Sequence, residues 1–234
     1  MTGKTAIITA ASKGMGAACA RELAAHGYNL VLMARSESVE VLAEELGAAA
    51  VRGSVTSVDD LAATVDMALE VYGGIDAVVA NTGHPPKGDL LDLTDEDWLT
   101  GVDMMLLNVV RLARLVTPHM LEQGSGGAWV HISAFGAVEP GLAFPISSAI
   151  RSAVSSYTKL YANRYAADNI RMNAVLPGFI DSFDVSDEAL ATIPAGRAGS
   201  VTEIAKTVAF LLSDGAAYIN GQSIRVDGSM TGSW

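Results

Sequence analysis

A single cysteine, few aromatic side chains and a shortage of basic residues set the first limits on this 234-residue chain. Cys19 has no partner for an internal disulfide, and its Ala-rich helical surroundings favour a buried structural thiol over a reactive one. Fifteen Lys and Arg stand against 26 Asp and Glu, giving a net charge of -11, and no basic run occurs. This argues against a nucleic acid or an anionic membrane as the main partner and leaves a small-molecule substrate open. No apolar stretch nears the roughly 20 residues needed to span a bilayer. No charged leader with a cleavage site precedes the first strand pattern, so the expectation is a cytoplasmic protein. Linkers, repeats and low-complexity tracts are also missing. Half of the residues are hydrophobic, enough for one large core, and a single domain is expected.

What is present alternates. Strand patterns run over Thr5 to Ala10, Tyr28 to Ala34, Ala48 to Arg52, Asp76 to Ala80, Ala128 to Ser133, Ile170 to Leu176 and Ser223 to Val226. Helical patterns cover 14–26, 38–46, 58–72, 95–122, 145–167 and 201–212. Strands separated by helices imply an α/β fold, a Rossmann-type doubly wound sheet of seven mainly parallel strands with helices on both faces. Thr94 followed by Asp97 suggests a capping box, and Asp95, Glu96 and Asp97 suit the positive end of a helix dipole, so this acidic run is a cap and not a metal site. Pro118 inside the long 95–122 pattern predicts a kink or local break.

The first strand leads into Thr9-Ala10-Ala11-Ser12-Lys13-Gly14-Met15-Gly16 at the start of a helix. Glycines at such a turn let the backbone approach a pyrophosphate, which then rests on the N–H groups of the helix N-terminus. With this turn go Asn81-Thr82-Gly83 after the fourth strand, Asn108 within a helix, Pro177-Gly178 after the sixth strand, and Gly221-Gln222 and Val226-Asp227-Gly228 near the end. In type and order these resemble the short-chain dehydrogenase/reductase family over essentially the whole chain. The resemblance implies a nicotinamide cofactor held by Thr9, Ser12, Lys13, Gly14, Met15 and Gly16 at the phosphate turn. It extends the site to Arg35, Ser36, Ser54 and Val55 around the adenosine, and to Asn81, Thr82, Gly83, Arg151, Pro177, Gly178 and Ile180 towards the nicotinamide. Ala10 stands in place of the family's first glycine; its methyl is expected to demand an ordinary φ and to shift the phosphate grip. An acidic residue at the end of the second strand would exclude a 2′-phosphate. The chain has Ala34-Arg35-Ser36 there and Lys13 in the turn, so NADP is expected over NAD. Ser54 replaces an aspartate that relatives often set against adenine.

At the catalytic end the family uses a tyrosine as proton donor, a lysine four residues on, and a serine that orients the carbonyl. Counting back from Pro177 without a gap puts the tyrosine at Ser147 and the lysine at Arg151, on one helix face. The family serine falls on Ala134. Neighbouring Ser133 is a candidate only if the strand end twists, since an extended strand would turn it to the other sheet face beside His131. Tyr157 lies about 15 Å along the helix axis from Ser147, and Lys159 about 12 Å from Arg151, so neither takes over. His131 reads as a hydrogen-bonded structural residue, and His84, in His84-Pro85-Pro86, as an ordinary loop residue rather than one that approaches the active-site mouth. A similar Ser-x-x-x-Arg pattern beside a Thr-Ala-Ser-Ser-Lys-Gly-like turn marks a divergent branch of the same family.

Losing a positioned acid forfeits roughly 10² to 10⁴ in rate. That loss cripples reduction of a simple ketone but matters less for an acceptor whose reduced form is a stable anion. The expectation is therefore an NADPH-dependent reductase of quinone-like or activated carbonyl compounds, with catalytic residues Ser147, Arg151, Asn108 and Ser133. The alternatives are a catalytically inactive NADP sensor or partner subunit, and a non-redox, dehalogenase-like enzyme on the same fold. A short substrate lid is expected at 179–197, with Phe179, Ile180, Phe183 and Val185 as its apolar surface. The family resemblance also implies a homodimer or homotetramer, with Ser148, Ala149, Ser152, Ala153 and Ser156 permitting close helix approach.

Overall fold

Runs of Val, Ile, Leu and Ala suit strands that are covered on both faces, and the five inner strands are used that way, while the two edge strands, 49–52 and 223–226, are only partly buried. In a computed structural model describing residues 3–233, β1 (Thr5–Thr9), β2 (Asn29–Ala34), β3 (Ala49–Arg52), β4 (Ala77–Ala80), β5 (Gly127–Ile132), β6 (Ile170–Pro177) and β7 (Ser223–Val226) form one sheet. The order is β3-β2-β1-β4-β5-β6-β7, and every pairing is parallel. The expected strands are thus all present, with ends shifted by at most a residue.

Alternate side chains feed two cores. Ile8, Leu32, Val79 and Val130 pack with α1 (Gly14–Ala25), α2 (Ser38–Leu46) and α8 (Val201–Leu212) on one face. Ile7, Met33, Val78 and Trp129 pack with α3 (Val58–Tyr72), α5 (Asn108–Gln123) and α6 (Pro145–Tyr165) on the other. Each of the larger side chains, fully buried, contributes about 1.5–3 kcal/mol. Cys19 belongs to the first core, and burial pushes its thiol up to about 12, as a structural cysteine requires. Arg171, on β6, donates to the carbonyls of Leu211, Ser213 and Ile219, so a cation meets the negative end of α8 and ties it to the sheet.

The helix expected over 95–122 is three pieces. α4 (Asp95–Gly101) starts from the expected capping box: Thr94 Oγ1 accepts from the Asp97 N–H at 3.2 Å, and the Asp97 carboxylate accepts from the Thr94 N–H at 3.0 Å. A π-helical segment, Val102–Leu107, then leads into α5. The break expected at Pro118 is not there: α5 runs through it, because Pro118 lies on the exposed face where water can serve the carbonyl that loses its partner. The irregularity falls instead just before Asn108. A short helix, α7 (Asp187–Leu190), lies within 179–197 and had no sequence expectation.

Gly101 has ordinary helical φ and ψ, yet a Cβ there would run into Ile146 Cγ2 of α6. Gly101→Ala should therefore destabilise the fold by about 1–3 kcal/mol through overpacking, although alanine is the better helix former. Urea unfolding checks this, and an unchanged or higher midpoint would show that α4 and α6 are not held this closely.

Candidate active site

The chain runs outward from β1 to β3 on one side and from β4 to β7 on the other, so a crevice opens beyond the carboxyl ends of β1 and β4. Buried hydrogen bonds set its floor. The Thr9 hydroxyl donates to the Asn81 carbonyl at 2.6 Å, the Asn81 N–H donates to Thr9 Oγ1 at 2.9 Å, and Asn81 Nδ2 donates to the Ala10 carbonyl at 3.3 Å. Ala10 takes φ 47°, in the left-handed region. The expectation that its methyl would force an ordinary φ is therefore wrong: the bonds around it hold the turn in the glycine-like shape, at a cost of about 1–2 kcal/mol. A Cβ on Gly16 would collide with the Ala10 carbonyl, so this glycine lets α1 close on the turn. Thr9 and Gly16 thus shape the cleft from behind and do not line it. Ser12, Lys13, Gly14 and Met15 do line it, at the start of a helix with no side-chain cap and no acidic residue in its first turn.

The cleft holds about 1860 Å³. At one end stand Arg35 and Ser36, both exposed, with Ser54 and Val55 across from them. Asp60, which the sequence did not single out, accepts the Ser54 N–H at 2.7 Å and so shapes the loop from α3. Neither Lys13 nor Arg35 is ion-paired among the described residues. Further along come Asn81, Thr82, Gly83, Pro177, Gly178 and Ile180.

Ser147 and Arg151 lie one helical turn apart at the other end, both in the wall of the cleft. Arg151 Nε donates to Ser147 Oγ at 3.1 Å, and Nη1 donates to the Ile132 carbonyl at 2.8 Å. Burial lowers this guanidinium to about 10, which leaves it charged at neutral pH. Two of its donors are committed within the protein, which leaves Nη2 for a ligand. Ser133 sits on the His131 face, as an extended strand requires. α5 and α6 bring Asn108 and Arg151 to the same face: Thr82, Asn108, Ser133 and Arg151 line a small pocket beside the cleft. Ser133 opens on both cavities, and its hydroxyl is buried without a partner, as are Thr82 Oγ1 and Asn108 Oδ1. Asn108 Nδ2 reaches the Asn81 carbonyl at 3.5 Å. Tyr157 and Lys159 are absent from the cleft, as expected.

His131 is buried, with Nε2 at 2.7 Å from Thr158 Oγ1. Thr158 gives its own hydrogen to the Val154 carbonyl, so Nε2 is the donor, and burial, which lowers the ring's pKa to about 3, keeps it neutral. His84 lines the mouth, its ring edge-on to Phe183 at 5.9 Å. Partial burial, then Lys87, Arg151 and Lys13, lower its pKa from the usual value. Lys87 and Phe144 were not foreseen; the Lys87 ammonium lies 5.0 Å from the Phe144 ring centroid. Phe135 and Phe179 meet at 5.7 Å on the opposite lip. The available signals were the position of Lys87 three residues past His84 and of Phe144 just before the Pro145 helix start.

Residues 9–231 match the family model described as enoyl-(acyl carrier protein) reductase. The chain is 35% identical to the 3-oxoacyl-(acyl-carrier-protein) reductase FabG of Staphylococcus aureus (strain Mu50) over 242 residues, covering 97% of this chain and 98% of that protein. It is 34% identical to the oxidoreductase UcpA of Salmonella typhimurium over 254 residues, covering 99% and 95%. Among solved structures, L-sorbose reductase from Gluconobacter frateurii, complexed with NADPH and L-sorbose, aligns with a TM-score of 0.89 at 29% identity, over 99% of this chain and 98% of that one.

The neutral His131 makes acid stability a test of this geometry. Burial, with Arg151 nearby, lowers its pKa from 6.5 to about 3, so the unfolded chain binds the proton and the native one does not across that interval. Stability is then fully present above pH 6.5 and falls as the pH drops towards 3, by up to about 1.4 kcal/mol per pH unit. His131→Asn should flatten this dependence in denaturation midpoints between those limits. An unchanged slope would mean that His131 is not held neutral.

Proposed function

The chain belongs to the short-chain dehydrogenase/reductase family, and from that premise we propose that it is an NADP-dependent oxidoreductase acting on quinone-like or conjugated carbonyl compounds without a tyrosine acid. The observation that carries the reading is the Arg151–Ser147 pair, a buried guanidinium that donates to a serine hydroxyl in the cleft wall.

The residues present fit the dinucleotide. A volume of about 1860 Å³ exceeds the roughly 300–1,000 Å³ of a single-ligand pocket. The uncapped start of α1 suits a pyrophosphate, and the buried Thr82 hydroxyl lacks a partner. Lys13 and Arg35 would flank a 2′-phosphate, in line with the NADPH of the sorbose reductase. Ser12, Gly14, Met15, Ser36, Ser54 and Val55 would complete the adenosine and phosphate end. Asn81, Gly83, Pro177, Gly178 and Ile180 would hold the nicotinamide side, with Arg151 Nη2 reaching ribose. When bound, the reduced cofactor supplies two electrons and a hydrogen to a substrate carbon.

The chain's own residues then handle charge. Ser147 Oγ accepts from Arg151, which leaves its own hydrogen to donate to the substrate oxygen, and Ser133 offers a second hydroxyl. Donors and a positive charge in a water-poor pocket stabilise an oxygen that becomes negative. Neither group releases a proton easily, so the substrate best served is one whose reduced form persists as an anion and collects its proton from water. Asn108 Oδ1, buried and unpartnered, is placed to order such a water. The segment 179–197 acts as the lid, its base fixed by the Ile180–Gly199 bridge and α7 within it. Along α6, Ala149, Ala153 and Ser156 are exposed and support pairing with a second copy, while Ser148 is buried and Ser152 donates to the Ala137 carbonyl.

Purified protein should oxidise NADPH with members of a quinone and enone panel, and Ser147→Ala should lower kcat about 10²-fold. Turnover of no member would overturn the reading, and retained NADPH affinity in that case would favour a sensor. Separately, Arg35→Ala should weaken NADPH binding at least about tenfold, equivalent to roughly 1.4 kcal/mol, while NADH affinity hardly changes. Fluorescence titration of both cofactors decides this, and an equal loss for the two would remove Arg35 from the 2′-phosphate.

A further inference from the structure

The cleft has a charge pattern opposite to that of the molecule. In a chain of net charge -11, its walls carry Lys13, Arg21, Arg35, Lys87 and Arg151 against only Glu22 and Asp181. Three of these seven charges are already committed. Arg21 pairs with Glu45 at 2.7 Å, Glu22 lies 3.8 Å from His26, and the Asp181 carboxylate accepts the Val201 N–H at 2.8 Å. Lys13 and Arg35 stand at the nucleotide end, where the phosphates would take them. Lys87 and Arg151 remain, and neither is ion-paired among the described residues.

These two cations share the substrate end. The Lys87 ammonium lies over Phe144, three residues before Ser147, and Lys87 is exposed to the cleft. The aromatic ring holds the ammonium near the mouth without neutralising it. Arg151 lies deeper, and its charge is directed at Ser147 and the reacting oxygen. A buried guanidinium without a carboxylate is unfavourable unless a ligand or a developing charge compensates it. One negative oxygen, formed during the reaction, accounts for Arg151. It leaves Lys87 without a counterion, at the point where the far side of a bound substrate would lie. His84, on the same loop, lines the same cleft as Lys87, Arg151 and Lys13.

We infer that the substrate carries a carboxylate in addition to its reducible carbonyl, with Lys87 as the specificity-determining contact for that group. The inference rests on the proposed reductase reading and narrows its substrate class to acidic quinones or enones. The carboxylate is bound as a spectator: no bond to it forms or breaks, and its charge fixes which end of the substrate faces Ser147. Phe144, Phe135 and Phe179 would sandwich the intervening flat, apolar part.

Binding separates this inference from the reductase reading, because it needs no turnover. 2-Naphthoate and 2-naphthamide, which share a ring system and differ in charge, are titrated by calorimetry into the protein saturated with NADP+. Naphthoate should bind at least tenfold more tightly, and Lys87→Gln should reduce the ratio to about one. Arg164→Gln removes the same unit of charge from an exposed site about 25 Å along α6 from Ser147 and should leave the ratio as it is. The His84 ring resonances should titrate at higher pH when naphthoate is bound and stay put with the amide. Equal affinities in the wild type, or a ratio that survives Lys87→Gln, would overturn the inference even if quinone turnover is found. A ratio lost equally in Arg164→Gln would reduce the effect to net charge and overturn it as well. Absence of NADPH binding and of turnover would instead remove the reductase reading itself.

Discussion

The Thr9 and Asn81 hydrogen bonds govern where anything can bind. β1 and β4 remain paired up to Ile8 and Val79, after which the chain leaves in different directions and the sheet has no further ladder to hold the two ends together. A fully buried hydroxyl that both donates to and accepts from the same residue replaces that ladder. With no water to compete, the pair keeps close to its full strength. Ala10 is then forced into its left-handed turn, Gly16 is brought against it, and Asn108 is drawn to the Asn81 carbonyl from α5. This one polar pairing thus aligns the phosphate turn, the floor of the cleft and the asparagine of the side pocket.

The second organising element is a charge buried without an acid. Arg151 occupies the ground between sheet and cleft by donating to the Ile132 carbonyl and to Ser147. A lysine's single ammonium would not span those two acceptors in one plane. The result is a rigid, charged fork fixed in the cleft wall. The π-helical segment before Asn108 serves the same region, since such irregularities re-aim side chains near functional sites. Set inside an acidic molecule, the basic walls of the cleft focus the field on anionic ligands and favour their entry.

Most of the scaffold was legible residue by residue. The seven strands and most helices follow from runs of Val, Ile and Leu set between 3.6-residue periodicities, and Thr94 with Asp97 announced its own cap. Ala10 was misread because intrinsic backbone preference is worth only about 1–2 kcal/mol, less than the bonds that surround it. At Pro118 the helix continues without the break that was one of the two expected outcomes, because the effect of a proline depends on which side of the helix meets solvent. Ser133 was judged by alternation alone, which tells faces apart without saying which face the active site uses. Lys87 was missed because its position three residues past His84 says little by itself; its meaning comes from Phe144, 57 positions away in the chain.

What the order of residues determined by itself was everything set by short-range periodicity and local chemistry: the elements, their alternation and the glycine-bearing turn after β1. What only the folded arrangement decided was which polar atoms lie without partners and which charges lie without counterions. Those properties depend on burial and on groups brought together from distant parts of the chain, and neither is encoded within a window of neighbouring residues.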